Sequence, residues 1–259
     1  MKTLIFAAGM GTRLKPLTDS MPKALVPVCG EPLLKHVIRF LMESGLNDFV
    51  VNIHHFPEQI KDYVAGQEWC GARISFSDES QCLLDTGGGV LKAKDHLLSE
   101  ETGDGFFLAH NVDIISDLDV RTFMGAWRPD GLATLLVSDR DTQRYLLFDD
   151  DMRLAGWTNV STGEVRSPYP SLDVSGCRKL AFSGIHLISN GCFGVMESEG
   201  FGGRFPIMDF YLKVCDKYPI YGYAPDSLHL ADVGKMETLA QAEELMRRLR
   251  RSSPGASEV

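Results

Sequence analysis

Short apolar runs alternate with amphipathic helical patterns along most of this chain. The opening run at residues 2–8 (KTLIFAA) ends in a glycine-rich turn, which is typical of a strand buried on both faces. Residues 31–45 place apolar side chains at helical spacing and stop at a glycine, and the β-branched run at 48–55 predicts the next strand. Four or five such units succeed one another. We therefore expect an α/β fold, doubly wound, with a mainly parallel sheet.

The middle third departs from that alternation. From about residue 145 to 175 the turn-like DDDMR and the loop GEVRSPYPSLD predict a small antiparallel insertion. A helical pattern over residues 235–250 closes the ordered part. With 259 residues one core is expected, because single cores stop growing at about 250 to 300 residues. We expect one domain over residues 1–251 and a disordered tail at 252–259.

The composition excludes several classes of protein. The chain has 26 Lys+Arg against 35 Asp+Glu and a formal charge of -9, which disfavours binding to nucleic acid by bulk charge. No apolar run approaches the roughly 18 residues of a membrane helix, so we expect no membrane association and a cytoplasmic location. The six cysteines form no CxxC pair and predict free thiols. The oligomeric state stays open.

The turn after the first strand, AAGMGTRLKPLTDSMPK, is the first candidate site, since ligands of open α/β sheets bind beyond the carboxyl ends of strands. It is neither a dinucleotide fingerprint, because Leu14 occupies the third glycine position, nor a Walker A loop, because no GK[ST] follows. Gly9 and Gly11 would let backbone amides approach an anion, and Arg13 and Lys23 would suit phosphate groups. A tight turn with solvated cations is the plain alternative.

Two carboxylates are the second candidate feature. Asp113 ends the predicted strand FFLAHNVD, and Asp232 ends the short predicted strand HLADV. Mg²⁺ is usually held by one or two carboxylates together with substrate oxygens and water. Strand-end aspartates also cap ordinary turns, so the pattern alone leaves both interpretations open. His54 and His55 are adjacent on a strand and point to opposite faces, so at most one could face a site.

The stretch LIFAAGMGTRLKPLTDSMPKALVPVCGEPLLKHVI resembles the signature of the sugar-1-phosphate nucleotidyltransferases, with its G-x-G-T-R loop and the downstream pair Pro22 and Lys23. The resemblance implies a Rossmann-like nucleotidyltransferase fold whose substrates are a nucleoside triphosphate and a sugar 1-phosphate. Arg13, Lys23 and Asp113 would be the catalytic residues, Arg13 on the β- and γ-phosphates and Lys23 on the α-phosphate. Asp113 and Asp232 match the two ligands of Mg²⁺.

The resemblance also implies the remaining site residues. The nucleotide-binding residues would be Ala8, Gly9, Gly11, Thr12, Arg13, Lys23, Asp85, Thr86, Gly87 and Gly88. The substrate-binding residues would be Asn111, Ser183 and Gly184, the last two in the segment FSGI. Two positions depart from the family pattern: Asp85 stands where a related branch has Glu, and Val112 stands where the family usually has Gly.

The segment DTGGG, the segment FSGI and the terminal ADVG most resemble the N-acetylmuramate 1-phosphate uridylyltransferase branch. We therefore expect UTP and N-acetylmuramate 1-phosphate as substrates, in NDP-sugar biosynthesis for the cell wall. Mannose- or heptose-1-phosphate guanylyl transfer and phosphocholine cytidylyl transfer are the alternatives. A non-catalytic subunit that binds nucleotide sugars is another, although Arg13, Lys23, Asp113 and Asp232 are all present.

Overall fold

The computed structural model describes residues 1–98 and 105–252. The strands are β1 (Thr3–Phe6), β2 (Pro27–Val28), β3 (Glu31–Pro32), β4 (Asp48–Ile53), β5 (Arg73–Asp78), β6 (Phe106–Asn111), β7 (Ile114–Ser116), β8 (Ala133–Ser138), β9 (Arg144–Phe148), β10 (Leu154–Asn159), β11 (Glu164–Arg166), β12 (Arg178–Ser189), β13 (Ile220–Tyr223) and β14 (Leu230–Asp232). The helices are α1 (Leu33–Glu43), α2 (Pro57–Ala65), α3 (Asp85–Lys92), α4 (Lys94–Leu97), α5 (Val120–Gly125), α6 (Cys192–Ser198), α7 (Ile207–Val214) and α8 (Met236–Ser252).

One large sheet organises these elements. Strands β5, β4, β1 and β6 are parallel neighbours in that order, and β8 and β13 form a second parallel pair. Strand β12 lies between β6 and β8 and is antiparallel to both. The predicted α/β fold with a mainly parallel sheet is confirmed. The sequence pattern at β12 suggested a further βα unit and did not indicate that this strand runs in the opposite direction.

Helices cover both faces of the sheet because neighbouring strand residues point to opposite sides. Ile5 and Val51 pack in one core with α1, α2, α5 and α8. Leu4 and Val50 pack in the other with α3, α4, α6 and α7. Within the described ranges, no helix is long and apolar enough to cross a membrane.

The predicted insertion is a three-stranded antiparallel ribbon, β9, β10 and β11, that is continuous with the main sheet. Strand β12 extends past the end of β6: residues 185–189 pair with β6, whereas residues 178–180 pair with β9. The ribbon therefore lies beyond the carboxyl end of β6, beside the edge where ligands bind in such sheets. The predicted tail lies outside the described residues except for Ser252, which ends α8.

Candidate active site

The loop after β1 is held in shape by a glycine in a left-handed conformation. Gly11 has φ 63°, and a Cβ there would lie 2.7 Å from Cγ2 of Thr18. The Thr18 hydroxyl donates a hydrogen bond of 2.8 Å to the Gly11 carbonyl. Gly9 faces open space, so its backbone is free for a ligand. The amide of Ala8 instead donates to Oδ1 of Asn52 at 3.2 Å. Ala8, a predicted nucleotide-binding residue, therefore has no free amide to offer a ligand.

The two cations of this loop differ in their surroundings. Lys23 follows Pro22 in a single 3₁₀ turn and is 9% exposed, and its ammonium forms an ion pair with Oδ2 of Asp113. Arg13, beside Thr12, is exposed and lies next to Gly234, where a Cβ would be 3.0 Å from the Arg13 Nη2. Both cations thus lie next to a predicted metal ligand.

The structure brings Asp113 and Asp232 together although they are far apart in the chain. Asp113 lies in the turn between β6 and β7 and not at the end of the strand, since β6 already ends at Asn111. Strand β14 pairs with β7 so that Asp232 lies opposite Ile114, and the Val233 amide donates to the Asp113 carbonyl at 2.8 Å. Two distant strand ends are thereby joined by backbone hydrogen bonds.

The electrostatics of this pair suit a divalent cation. Burial and the neighbouring Asp113 carboxylate raise the pKa of Asp232, an effect that Lys23, Arg13 and Arg140 partly offset. Oδ1 of Asp232 is buried and has no hydrogen-bond partner within residues 1–98 and 105–252. The same described ranges contain no cluster of three or more His, Cys, Asp or Glu that could hold a metal. Two carboxylates fit Mg²⁺, which completes its coordination shell with water and substrate oxygens.

Two adjoining cavities open at this edge of the sheet. The smaller, of about 230 Å³, is lined by Ala8, Gly9, Lys23, Asn52, Leu83, Asp85, Thr86, Val112 and Asp113 as well as the shared residues, and we name it the nucleotide cavity after the predicted nucleotide-binding residues in its wall. The larger, of about 620 Å³, is lined by Arg13, Asp232 and residues of the ribbon and α7, and we name it the acceptor cavity as the expected place of the second substrate. Phe6, Thr86 and Asn111 line both. A reactant in one cavity can therefore meet a reactant in the other beside the two aspartates.

The glycines of the segment DTGGG stand just before a helical pattern in the sequence, where they would form a turn. In the structure α3 already begins at Asp85, so Gly87, Gly88 and Gly89 lie inside its first turns. The amides of Gly87 and Gly88 donate to the Phe205 carbonyl at 2.9 and 3.1 Å. A Cβ on Gly87 would lie 2.3 Å from the Phe205 ring, and a Cβ on Gly88 would lie 2.3 Å from the Gly203 carbonyl oxygen. These two glycines allow close packing and offer no free amide to a nucleotide, whereas Asp85 and Thr86 line the cavity.

Of the predicted substrate-binding residues, some lie at the cavities and others do not. Asn111 lines both cavities, and Gly184, at φ 76°, packs against it: a Cβ there would lie 2.8 Å from the Asn111 Nδ2. Ser183 is fully buried and its hydroxyl has no partner among the described residues. It does not line the acceptor cavity, because neighbouring residues of a strand point to opposite faces and Phe182 faces the cavity. The side chains that line it there are Phe182 and His186.

Val112, where the family usually has Gly, contributes a side chain to the nucleotide cavity and is 3% exposed. Its amide donates to the Phe6 carbonyl at 3.2 Å. The histidines have structural partners: His54 Nδ1 lies 2.7 Å from the Glu79 carbonyl, and His55 stacks beside Phe56.

Sequence reasoning missed the Asn52–Glu79 pair. Asn52 lies one residue before the end of β4, and its amide nitrogen donates to Oε1 of Glu79. Oε2 of Glu79 accepts from the Leu84 amide at 2.9 Å. Burial raises the pKa of Glu79. The pair ties the loop at Ala8 to the segment before α3, so it sets the width of the nucleotide cavity. A polar Asn within the apolar run DFVVNI was the available signal.

Sequence reasoning also missed a group of arginines in the acceptor cavity. Arg140 lies between β8 and β9, Arg144 begins β9, and Arg166 ends β11. The available signal was the segment RDTQR, residues 140–144. Residues two or four apart in an extended chain share a face, so Arg140 and Arg144 would point to the same side.

The comparison with known protein families settles the family of this chain. Residues 2–145 match the family described as "Nucleotidyl transferase". The chain belongs to this family. N-acetylmuramate alpha-1-phosphate uridylyltransferase of Caulobacter vibrioides is 29% identical over 238 residues, which cover 88% of this chain and 91% of that protein. Mannose-1-phosphate guanyltransferase of Hypocrea jecorina is 39% identical over 118 residues, which cover 45% of this chain and 31% of that protein.

Solved structures share the fold. The inositol-1-phosphate CTP transferase from T. maritima superposes with a TM-score of 0.75 at 14% identity and covers 97% of this chain and 96% of its own. HddC from Yersinia pseudotuberculosis, complexed with GMP-PN, has a TM-score of 0.72 at 20% identity, with 95% and 99% covered. The expected family and the expected class of enzyme, a sugar-1-phosphate nucleotidyltransferase, are confirmed.

Proposed function

We propose that this nucleotidyl transferase couples UTP to N-acetylmuramate 1-phosphate and releases UDP-N-acetylmuramate and pyrophosphate, a product for cell-wall synthesis in the cytoplasm. The observation that carries the proposal is the meeting of Arg13, Lys23, Asp113 and Asp232 where two cavities adjoin. The choice of substrates is supported by similarity to the Caulobacter vibrioides enzyme along nearly the whole chain.

In the proposed reaction an oxygen of the sugar 1-phosphate attacks the α-phosphorus of UTP from the side opposite the leaving pyrophosphate. The new P–O bond forms as the bond to the β-phosphate oxygen breaks, and pyrophosphate leaves with that electron pair. The nucleophile is already an anion, so no general base is needed. Catalysis then rests on positioning and on neutralising charge.

The residues of this chain divide that work between the two cavities. Lys23 is held by Asp113 at the wall of the nucleotide cavity, where its ammonium can contact the α-phosphate. Arg13 is exposed and free to bind the β- and γ-phosphates. Asp113 and Asp232 would hold Mg²⁺, which supplies charge neutralisation at the phosphate oxygens. Asn111, at the shared wall, is placed to orient the sugar.

The first test is pyrophosphate release with Mg²⁺ across four nucleoside triphosphates and a panel of sugar 1-phosphates with phosphocholine included. Turnover restricted to UTP with N-acetylmuramate 1-phosphate is the expected result. GTP with mannose 1-phosphate as the productive pair would replace both substrates. No turnover from folded protein that binds nucleotide would indicate a binding subunit, and Val112→Gly would then be the first change to make.

The second test concerns the carboxylates. Asp113→Asn is expected to leave a folded protein whose turnover falls by about a hundredfold or more, because one negative ligand is lost. Asp216→Asn, at an exposed position in the loop after α7, is the matched control and should keep full turnover. Near-normal turnover of Asp113→Asn would refute its role.

A further inference from the structure

The acceptor cavity is unusually cationic for an acidic protein. Four arginines line it (Arg13, Arg140, Arg144 and Arg166) against two aspartates, Asp209 and Asp232, although the whole chain has a formal charge of -9. A neutral sugar ring needs hydroxyl-directed hydrogen bonds and not a surplus of guanidinium groups. The lining therefore points to an acceptor with more negative charge than its 1-phosphate alone.

The arginines of this cavity are not equivalent. Arg166 is neutralised by Asp209, with Nη2 and Oδ1 2.7 Å apart. Arg140 donates to the Phe182 carbonyl at 2.9 Å, and its charge acts on Asp232, so it belongs to the end of the cavity near the carboxylates. Arg13 lies at that same end, beside Gly234.

Arg144 is the cation without an assigned anion. It is exposed at the start of β9, and its guanidinium makes no hydrogen bond or ion pair with any residue in the ranges 1–98 and 105–252. Its backbone is fixed by pairing with Asn159 on β10, so the side chain projects from a rigid strand into the cavity. A planar guanidinium in such a place suits bidentate contact with a carboxylate.

We propose that Arg144 selects acceptors whose sugar carries a carboxylate in addition to the 1-phosphate. The inference rests on the proposed function and names the residue that distinguishes N-acetylmuramate from N-acetylglucosamine, which lacks the lactyl carboxylate. The 1-phosphate takes the end of the cavity near Arg140 and Asp232, and the carboxylate takes Arg144.

The test compares the binding of UDP-N-acetylmuramate and UDP-N-acetylglucosamine by calorimetry, since these two ligands share everything except the lactyl group. The wild-type chain is expected to bind the first about tenfold more tightly, the usual scale of a charge-assisted contact. Arg144→Ala should bring the two affinities to within about twofold. Arg144→Lys, which keeps the charge without the fork, should keep part of the preference. Arg178→Ala, an exposed arginine outside the cavity, should keep all of it.

Each other outcome decides a separate question. An Arg144→Ala variant that loses affinity equally for both ligands would show a structural role and overturn the inference. A wild-type chain that binds both ligands equally would also overturn it while leaving uridylyl transfer intact. A wild-type chain that binds neither uridine sugar would refute the proposed function itself.

Discussion

Two buried histidines beside the site stay neutral in the folded protein. His110 on β6 and His186 on β12 lie on neighbouring strands, and burial lowers the pKa of His110 to about 4 and that of His186 to about 3. His186 has a hydroxyl partner, Tyr211, 2.8 Å from its Nδ1. Neither ring can accept a proton without placing an unsolvated charge inside the sheet.

This neutrality makes the protein sensitive to mild acid. An unfolded histidine has a pKa near 6.5, so below that pH the unfolded chain binds protons that the folded chain does not. The stabilisation is therefore complete above pH 6.5 and is lost as the pH falls toward 4. We expect the free energy of unfolding, measured in urea, to fall by about 2 kcal/mol or more from pH 7 to pH 5.

A substitution separates this effect from general acid sensitivity. His186→Gln keeps a hydrogen-bonding group near Tyr211 but cannot titrate, so the pH dependence should weaken by about one proton. His96→Gln, on an exposed helical position, should leave the slope as it is. If His186→Gln kept the wild-type slope, His186 would not be the residue responsible.

The sequence indicated candidate site residues where their position depends on short-range order, and the roles of these residues stay predictions. Gly11 and Lys23 belong to one loop, and Asp113 and Asp232 lie near strand ends that the structure brings together. Asn52 could not be predicted as a partner of Glu79, because their contact requires the register of β4 with β5 and the path of the loop that follows. Ser183 does not line the acceptor cavity, because the sequence does not show which face of β12 is turned toward it, and Phe182 and His186 occupy that face.

Among the secondary-structure elements, α3 depends most directly on glycine. Its Gly87 and Gly88 approach residues 203–205 so closely that the helix and this segment share backbone hydrogen bonds. The Thr86 hydroxyl accepts from the Ile207 amide at 2.9 Å and adds α7 to the same contact. The position of Asp85 and Thr86 in the nucleotide cavity is therefore set by packing on the far side of the helix.

Gly87→Ala is expected to disturb that packing. The new Cβ would lie 2.3 Å from the Phe205 ring and 2.9 Å from its carbonyl oxygen, so the helix must shift. Overpacking of this kind costs about 1 to 3 kcal/mol, which urea unfolding would measure. Gly125→Ala in α5, where a Cβ meets nothing within 4 Å, is the matched control and should be neutral or slightly stabilising. Equal effects from the two variants would contradict the packing argument.

The elements themselves were mostly predictable, since apolar periodicity identified α1 and α8 and short apolar runs identified β1 and β4. The direction of β12 was not, because an apolar run buried on both faces looks alike in parallel and antiparallel pairing. The ribbon β9–β11 was recognised as antiparallel, but its place beyond β6 follows from the length of β12, whose first residues pair with β9. Because the ribbon lies there, its residues Arg144 and Arg166 line the acceptor cavity.

For the molecule as a whole, the two cavities and the two carboxylates form one binding unit. Phe6, Thr86 and Asn111 are common to both cavities, and Asp113 and Asp232 belong to one each. A triphosphate that enters without a cation meets two carboxylates of its own sign. Burial, together with the same repulsion from Asp113, raises the pKa of Asp232.

We therefore expect UTP and Mg²⁺ to stabilise the folded protein together far more than either does alone. At a hundred times its dissociation constant, a ligand of the folded state adds about 2.7 kcal/mol, or about 5–10 °C of melting temperature for a chain of this size. A chelator should return the melting temperature to that of the free protein. Asp232→Asn should retain little of the shift, whereas Asp216→Asn should retain all of it. A full shift from UTP in the presence of the chelator would contradict the role of the two carboxylates as the cation site, because binding would then not depend on neutralising them.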